Sequence, residues 1–468
     1  MQWSRYNTLF HSGQFGHFLY NALSNTLIEL DKTHYLQLEE FRNGEDNAPE
    51  IKETDFSDLL HENRIFVETG EERRQLLCRQ YRRHSICYDS SRLGLTICPT
   101  LQCNFRCPYC FENSQQDSAI MSPDTISRLI SFIKSHKDIR HLSIAWYGGE
   151  PLLAFDVMCE VTEKVKALDL DCEGVGIITN GYLLDSKKIA RLNELNINSI
   201  QITLDGLEQA HNKRRMLAGG GSTFQCIMNN IDTLMNSTYA GACTIRVNID
   251  RRNLDQFVLL RSALLEKFKG KKLSVYAGQV NTGVGHSYDS ACNLDLHAWK
   301  EFTLEVLRQS GQPTGGFYPG GNLDSICVAT THNGFVVGPA GELYKCWEDV
   351  GKQAMAVGSI HQDTPVTNPE LQALYCLGTD AYSDPECLEC EVLPICGGGC
   401  ANKRLRAKQF SEKGLEFCSA YKDNLTIYLE AYIDYFRSME ITKALLRQSD
   451  EKQNHKGFRV ISPEKNKI

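Results

Sequence analysis

Six short apolar segments alternate with helical segments between residues 93 and 280, and this alternation limits the possible folds more than any other feature. The apolar segments are LGLTICPT, HLSIAWYGGE, GVGIITNG, NSIQITLDG, CTIRVNID and KLSVYAGQV. Strands that are apolar on both faces are typical of a parallel sheet covered by helices. The first helical segment has Ser122 as its predicted N-cap and Pro123 at its first position. The sequence therefore predicts an α/β fold in which six strand–helix units form a partial (β/α)6 barrel of the TIM type.

Unusual residues follow four of the predicted strands. A loop with three cysteines follows the first strand, and the segments GGE at 148–150, TNG at 179–181 and LDG at 204–206 follow the next three. In barrels of parallel strands the catalytic groups lie at the C-terminal ends of the strands. We therefore expect these four segments to meet in one site.

The length of 468 residues exceeds what one ordinary core needs and predicts two or three domains. Residues 1–90 contain strands followed by helices, which is typical of a small winged-helix-like module, although a simple cap on the next domain fits equally well. We expect the barrel at 91–312, a cysteine-rich domain at 313–436 and a polar tail at 437–468.

Charge and hydropathy argue against several classes of protein. The net charge is −8, whereas a global nucleic-acid binder would usually be basic. The sequence contains no apolar run of about 18 residues that would predict a membrane span. Its first residues, MQWSRYNTLFHSG, lack the pattern of a secretory signal. We expect a cytoplasmic protein with no nucleic-acid or membrane partner.

Nineteen cysteines are many for a cytoplasmic chain, in which disulfides are rare. Free cysteines that are scattered along a sequence usually behave as small buried apolar residues. We interpret nine of them in this way, namely Cys78, Cys87, Cys98, Cys159, Cys172, Cys226, Cys243, Cys292 and Cys376. The other ten fall in two groups, and clustered cysteines in this compartment indicate a metal site or catalysis.

The first group is Cys103, Cys107 and Cys110, with the spacing C-x3-C-x2-C. A structural zinc site normally has four protein ligands. A [4Fe–4S] cluster uses one thiolate per iron, so three cysteines leave one iron open to a small molecule. The spacing therefore suggests an iron–sulfur cluster with an accessible iron, and a zinc site completed by a distant histidine is the alternative.

The three-cysteine loop after a first strand resembles the signature of the radical S-adenosylmethionine (SAM) enzymes. GGEP at 148–151, TNG at 179–181, TLDG at 203–206, and HNKRR at 211–215 followed by GGGSTF are similar to further motifs of that family. The resemblance covers residues 93–290. It implies a [4Fe–4S] cluster on the three cysteines and SAM as cofactor. The SAM contacts that it implies are Tyr109, Gly148, Gly149, Glu150, Thr179, Asn180, Thr203 and Asp205.

The second group of cysteines resembles the seven-cysteine extension called the SPASM domain. By this resemblance Cys387, Cys390, Cys396 and Cys418 would hold one auxiliary [4Fe–4S] cluster. Cys327, Cys346 and Cys400 would hold another, whose last iron is open to substrate or bound by Cys292 or another residue. The total would then be three clusters, and a pair of zinc knuckles is the alternative.

Enzymes of this kind mostly modify peptides or proteins. The resemblance implies that a 5′-deoxyadenosyl radical takes a hydrogen from the substrate, with an electron donor such as flavodoxin or ferredoxin. YKCWEDVG and CPYCFE resemble maturases of ribosomally made peptides (RiPPs), and the darobactin maturase is one such enzyme. We expect a precursor peptide whose leader is captured by residues 1–90 as an added strand. A side-chain cross-link (ether, thioether or C–C) is the expected modification.

Two other functions remain as alternatives. Anaerobic sulfatase maturases, which make formylglycine, usually have an acid directly after the cysteine that Cys346 matches, and here Trp347 takes that place. Glu348 and Asp349 follow and are the candidate catalytic acids. A zinc-containing DNA-binding regulator would use the basic run at 73–83, which we interpret instead as the solvated face of a helix.

Overall fold

The computed structural model describes residues 2–43, 51, 53–112, 119–280, 290–311, 318–320, 326–447 and 457–463. Within these residues, no helix combines the length and the apolar character that a bilayer crossing requires.

The N-terminal part packs helices on an antiparallel sheet. Its elements are β1 (Gln2–Trp3), β2 (Asn7–Ser12), β3 (Gly16–Asn21), β4 (Thr26–Leu30), α1 (Lys32–Arg42), α2 (Thr54–Glu62), β5 (Phe66–Val67) and α3 (Glu71–Cys87). Strands β2, β3 and β4 form a meander. The turn between β3 and β4 has Asn25 at a φ of 54°, a conformation that asparagine tolerates well.

The central part is the predicted partial barrel. Its strands are β6 (Arg92–Ile97), β7 (His141–Trp146), β8 (Asp171–Thr179), β9 (Ile197–Thr203), β10 (Ala242–Ile249) and β11 (Leu273–Gln279). Its helices are α4 (Pro123–Ser135), α5 (Phe155–Lys166), α6 (Ser186–Arg191), α7 (Glu208–Arg214), α8 (Phe224–Met235) and α9 (Gln256–Lys267). All six strands are parallel and neighbours in chain order, which confirms the α/β partial barrel.

The expectation that these strands are apolar on both faces is wrong for the inner face. In β10, Ile245 and Val247 are fully buried, whereas Arg246 and Asn248, on the opposite face, line a cavity. The physical reason is that six strands do not close a barrel, so the inner face surrounds a cavity instead of a packed core.

The C-terminal part continues the large sheet. It contains α10 (Leu296–Ser310), β12 (Gly334–Val337), β13 (Glu342–Tyr344), β14 (Gly358–Ser359), α11 (Pro369–Cys376), α12 (Pro385–Leu388), α13 (Leu393–Cys396), α14 (Ala401–Gln409), α15 (Leu425–Arg447) and β15 (Phe458–Val460). Strand β12 pairs in parallel with β6, and β13 and β14 extend the sheet beyond it. Nothing in the composition of residues 327–418 predicted these strands.

The polar tail expected at 437–468 is part of the fold at its described residues. Helix α15 runs to Arg447, and β15 pairs in antiparallel register with β4 of the N-terminal sheet. Most of the stretch SDEKQNHKGF, which we expected to be loosely ordered, lies outside the described residues.

Candidate functional site

The three-cysteine loop lies at the C-terminal end of β6 and is hydrogen-bonded to a segment that comes later in the sequence. The Arg106 amide donates to the Met216 carbonyl at 2.9 Å, and the Ala218 amide donates to the Asn104 carbonyl at 2.8 Å. The cysteine loop is therefore fixed by backbone hydrogen bonds to the residues that follow α7. This contact explains why the HNKRR motif, although about a hundred residues away in the sequence, belongs to the same site.

Cys103, Cys107 and Cys110 line the cavity at this end of the sheet. Burial raises the pKa of Cys103 and of Cys110 to about 12, so both are thiols when no metal is bound. Thiolates are the ligands that iron–sulfur clusters use, and binding one must release these protons. Three sulfur ligands beside an open cavity fit a cluster with one accessible iron.

Gly148 and Gly149 lie against the backbone that leads into the cysteine loop. Gly148 has a φ of 105°, which favours glycine. A Cβ on Gly149 would overlap the carbonyl oxygens of Leu101 and Gln102. Both glycines line the cavity, so their lack of side chains lets the loop after β7 and the cysteine loop approach the same space.

Glu150 connects two of the predicted segments. Its buried carboxylate accepts from the Thr179 hydroxyl at 2.7 Å, from the Asn180 amide at 2.7 Å and from the Leu152 amide at 3.0 Å. Thr179 and Asn180 line the cavity, but the described lining does not include Glu150. These hydrogen bonds give Glu150 a positioning role between the two loops, and its direct contact with SAM stays a prediction.

Asp205 is likewise buried beneath the site. It accepts a hydrogen bond from the Tyr109 hydroxyl, and Arg214 lies between it and Asp250, with 2.7 Å to the Asp250 carboxylate. Arg215 donates to the Tyr109 hydroxyl at 2.8 Å. Tyr109 lines the cavity, whereas Asp205 is absent from its described lining. Asp205 thus fixes Tyr109 within the cysteine loop.

His211 ties the loop after β9 to the segment after α7. Its Nδ1 accepts from the Asp205 amide at 3.2 Å, and its Nε2 lies 3.1 Å from the Thr223 hydroxyl, which donates to the Arg215 carbonyl. Burial, together with the charges of Arg215 and Arg214, lowers the pKa of His211 to about 2. The ring is therefore neutral, which its role as an acceptor at Nδ1 requires.

The cavity has a volume of about 380 Å³ and extends from the cysteines over the inner face of the sheet. Gln201, Thr203, Arg246, Asn248 and Tyr276 line it there. The Tyr276 hydroxyl donates to Gln201 at 2.8 Å, and Arg246 donates to Asn248 at 2.7 Å. The sequence analysis assigned Thr203 to the site but not the other four residues. Their only indication in the sequence is that they are polar residues at alternate positions of otherwise apolar strands.

Glu112 is a further lining residue that sequence reasoning did not assign. Its side chain is 5% exposed, and burial raises the pKa of its carboxyl to about 8. Among the described residues, its Oε1 has no hydrogen-bond partner. A buried polar atom without a protein partner at the wall of a cavity fits a bound polar ligand, and SAM offers an ammonium group, a carboxylate and hydroxyls.

The two candidate acids separate in the structure. Glu348 lines the cavity, and burial raises its pKa. Asp349 is fully buried outside the cavity, where it accepts from Arg406 at 2.7 Å, from Asn402 at 3.1 Å and from the Tyr375 hydroxyl. Glu348 is placed to meet a substrate, whereas the contacts of Asp349 favour a structural role.

Trp347 connects the cysteine-rich part to the barrel. Its ring stacks on the ring of Tyr147, with 5.5 Å between the ring centroids. Tyr147 directly precedes the two glycines of the loop after β7. Cys346 precedes Trp347, so one cysteine of the second group is the sequence neighbour of a residue in the cavity wall.

Part of the second group of cysteines surrounds one pocket. Four of them, Cys387, Cys390, Cys396 and Cys418, line a small pocket of about 60 Å³. Arg404 also lines it and donates to the Cys387 sulfur at 3.3 Å. Four cysteines around one pocket, with a cationic donor beside them, fit a fully ligated iron–sulfur cluster.

Cys327, Cys346 and Cys400 are not among the residues that line this pocket. Burial raises the pKa of Cys327, with a further contribution from Cys400, and burial also raises the pKa of Cys346, with a smaller contribution from Cys327. These contributions link Cys327 with each of the other two cysteines. The described contacts of Cys292 include an amide from Arg251 on its carbonyl, a contact that does not bring its sulfur to this group.

Comparisons with known proteins find one matching family model and several similar proteins. Residues 97–264 match the family model of the radical SAM superfamily. The cysteine-type anaerobic sulfatase-maturating enzyme of Clostridium perfringens is 24% identical over 375 residues, which are 71% of this chain and 95% of that protein. Molybdenum cofactor biosynthesis protein 1 of Dictyostelium discoideum is 32% identical over 147 residues. This match covers 30% of this chain and 21% of that protein.

Among solved structures, anSMEcpe with bound AdoMet and a peptide is similar to this chain with a TM-score of 0.57 at 21% identity. The match covers 76% of this chain and 99% of that one, so it establishes a shared fold beyond the barrel. The resemblance to radical SAM enzymes is confirmed for residues 97–264, and the similarity of fold extends beyond them. Residues 97–264 are therefore a radical SAM domain.

Proposed function

We propose that this enzyme is a maturase that modifies a ribosomally made precursor peptide. The observation that supports the proposal best is one cavity that the three-cysteine loop, the inner face of the sheet and Glu348 line together. A substrate in it would meet both the radical SAM centre and the edge of the cysteine-rich part. When bound, the reduced cluster and SAM supply a 5′-deoxyadenosyl radical that takes a hydrogen from the substrate.

The protein's own residues would hold these groups and exclude water. Cys103, Cys107 and Cys110 would bind the cluster, while Gly149 and Asn180 would form the walls against SAM. Glu150, Asp205 and their partners would keep the loops in register, as their buried hydrogen bonds suggest.

Two auxiliary [4Fe–4S] clusters are part of the proposal. Cys387, Cys390, Cys396 and Cys418 would hold one, because their pocket offers four sulfurs. Cys327, Cys346 and Cys400 would hold the other and leave one iron for a further ligand. Cys346 lies two residues from Glu348 at the cavity wall, which would bring this second cluster near the substrate.

We propose a side-chain cross-link as the product, with a flavodoxin or ferredoxin as electron donor and the cytoplasm as location. Formylglycine formation is the second candidate, because the sulfatase-maturating relative matches over 95% of its length. The acid expected next to Cys346 in such a maturase is replaced by Trp347, which packs on Tyr147. This replacement favours a different reaction. A darobactin-maturase-like specificity stays a prediction.

Anaerobic purification followed by iron, sulfide and zinc analysis is the first test. Three clusters require about 12 irons per chain, four for each cluster. With dithionite, the protein should then convert SAM to 5′-deoxyadenosine. Stoichiometric zinc with little iron and no SAM cleavage would contradict the proposal.

Cys103→Ala should abolish SAM cleavage and leave the protein folded, because only the radical SAM cluster loses a ligand. Cys243→Ala is the matched control, since Cys243 is a fully buried thiol on the helix-facing side of β10. Normal release of 5′-deoxyadenosine by the Cys103 variant would refute the assignment of this cluster.

Cys400→Ala tests the auxiliary site separately. We expect this variant to lose product formation and to retain SAM cleavage, because the first cluster keeps its three ligands. Mass spectrometry of a precursor peptide encoded near the gene gives the readout. Complete modification by the variant would contradict an auxiliary-cluster role for Cys400.

A further inference from the structure

The inner face of β10 carries an arginine that lines the cavity and has no acidic partner. Arg246 lies there beside Asn248 of its own strand and Tyr276 of β11. Its hydrogen-bond partners are the Asn248 side chain and the Tyr276 hydroxyl, and among the described residues no carboxylate forms an ion pair with it. A guanidinium keeps its charge inside a protein. This part of the cavity wall therefore presents a positive charge without a described counter-charge.

Two acids line the same cavity, but neither is paired with this charge. Glu112 has an Oε1 without a hydrogen-bond partner in the described part of the chain. Glu348 interacts instead with cations of the cysteine-rich part, namely Lys403, Lys352 and Arg406. The charge of Arg246 is therefore left for a ligand that enters the cavity.

Two hydrogen bonds fix the plane of this guanidinium. Its Nε donates to the Asn248 side chain at 2.7 Å, and one terminal nitrogen donates to the Tyr276 hydroxyl at 3.4 Å. Tyr276 is itself fixed, because its hydroxyl donates to Gln201 at 2.8 Å. These bonds leave N–H groups on both terminal nitrogens for a ligand. The group is therefore oriented before any ligand binds.

Gly278 of β11 provides the space in which the guanidinium lies. A Cβ at this position would lie 2.6 Å from the Nε of Arg246 and 2.8 Å from its Cζ, closer than such atoms can approach. Gly278 is the register partner of Asn248, which holds the same Nε. The absence of a side chain at residue 278 thus lets Arg246 lie across the backbone of β11.

We propose that Arg246 binds a carboxylate of the peptide substrate, so that the enzyme selects a peptide with an acidic residue close to the residue that it modifies. This inference rests on the proposed function. A planar guanidinium of fixed orientation matches a carboxylate, which it can bind through two parallel hydrogen bonds. Asn248 also donates to the Tyr109 hydroxyl of the cysteine loop at 3.3 Å, so the acidic residue would lie near the radical SAM centre.

Saturation-transfer NMR titrations with short blocked peptides test this site without any radical chemistry. Three groups offer a carboxylate, namely an acidic side chain, the C-terminus of a peptide and SAM itself. The anaerobically purified enzyme with saturating SAM is therefore titrated with acetyl-Ala-Glu-Ala-amide, with acetyl-Ala-Gln-Ala-amide, and with acetyl-Ala-Gln-Ala that has a free C-terminal carboxylate.

We expect the glutamate peptide to bind about tenfold more tightly than either glutamine peptide, which is the usual effect of a hydrogen bond to a charged group. Equal affinity for the two amides, or no measurable binding of the glutamate peptide, would overturn the proposal. Tightest binding of the peptide with the free C-terminus would overturn it as well, because the site would then select a chain end.

Variants test whether Arg246 causes the preference. Arg246→Gln should remove it, and Arg246→Lys should restore part of it, because lysine returns the charge without the planar group. Gly278→Ala should also reduce it, because the added methyl group displaces the guanidinium, and this variant tests the geometry even if Arg246→Gln fails to fold. Arg128→Gln, at an exposed position of α4, and Gly174→Ala, with open space around it, are the matched controls and should keep the preference.

Binding of labelled SAM separates the remaining source of a carboxylate. If Arg246→Gln weakens SAM binding and leaves the preference for the glutamate peptide unchanged, the guanidinium holds SAM and the proposal is wrong. A glutamate preference in an enzyme that neither cleaves SAM nor modifies a peptide would overturn only the proposed maturase function. Peptide modification by an enzyme without that preference would overturn only the role of Arg246.

Discussion

Acidification should open the loop that follows β9, because His211 can hold it only as a neutral ring. Its Nδ1 accepts from the Asp205 amide, and Asp205 in turn binds the Tyr109 hydroxyl inside the cysteine loop. In the native structure the pKa of His211 is lowered to about 2, first by burial and then by Arg215 and Arg214, against 6.5 in the opened chain. Since the opened chain binds this proton better, its free energy falls as the pH drops below 6.5.

The size of the effect follows from linkage. The stabilisation is fully present above pH 6.5 and is lost as the pH falls towards 2. Between pH 7 and pH 5 the opened form gains about 2 kcal/mol, at about 1.4 kcal/mol for each pH unit below its pKa. Opening of the segment 203–216 should therefore become roughly 25-fold more frequent. Hydrogen exchange followed by mass spectrometry, corrected for intrinsic exchange rates, measures this ratio directly.

His211→Gln removes the titrating group, so its exchange in this segment should depend on pH much less than that of the unmodified protein. His61→Gln, at an exposed histidine near the end of α2, is the control and should keep the full dependence. If the unmodified protein and the His211 variant respond equally to the change from pH 7 to pH 5, the argument from the buried neutral ring is wrong.

Two further predictions test the cavity wall and the small sulfur-lined pocket. Gly149→Ala should lower the thermal midpoint and weaken SAM binding, because the added methyl group would overlap backbone oxygens at a cost of about 1–3 kcal/mol. Gly174→Ala is the control and should change neither property, because the space around Gly174 is open. Unchanged SAM affinity in the Gly149 variant would contradict the proposed wall. Cys418→Ala should lose about four of the irons and retain SAM cleavage; full iron content in that variant would refute its role as a ligand.

The sequence predicted those features that depend on neighbouring residues. Strand and helix periods in the barrel depend on side chains a few positions apart, and they placed all six strands correctly. The first barrel helix begins as predicted, with the Ser122 hydroxyl accepting from the Thr125 amide at 3.1 Å and Pro123 in the first turn. The resemblance to the SPASM domain implied the grouping of Cys418 with Cys387, Cys390 and Cys396, and all four line one pocket.

The features that were missed depend on residues far apart in the sequence. Strand β12 consists of four buried residues, and it joins the large sheet by pairing with β6, more than two hundred residues earlier. Strand β15 likewise joins the N-terminal sheet by pairing with β4. Adjacent acids in the sequence, Glu348 and Asp349, face different surroundings, because a short 3₁₀ turn directs one to the cavity and the other to Arg406.

The order of the strands bears on the size of the substrate. In the described part of the chain, β11 pairs only with β10, and the sheet continues at its other end through β12 instead of closing on β11. A closed barrel of eight strands would fill its interior with side chains. Here the inner face keeps Gln201, Arg246 and Tyr276 around a cavity of about 380 Å³. Under the proposed function, a space of this kind would admit a segment of the peptide from the open side while the rest of that peptide stays outside.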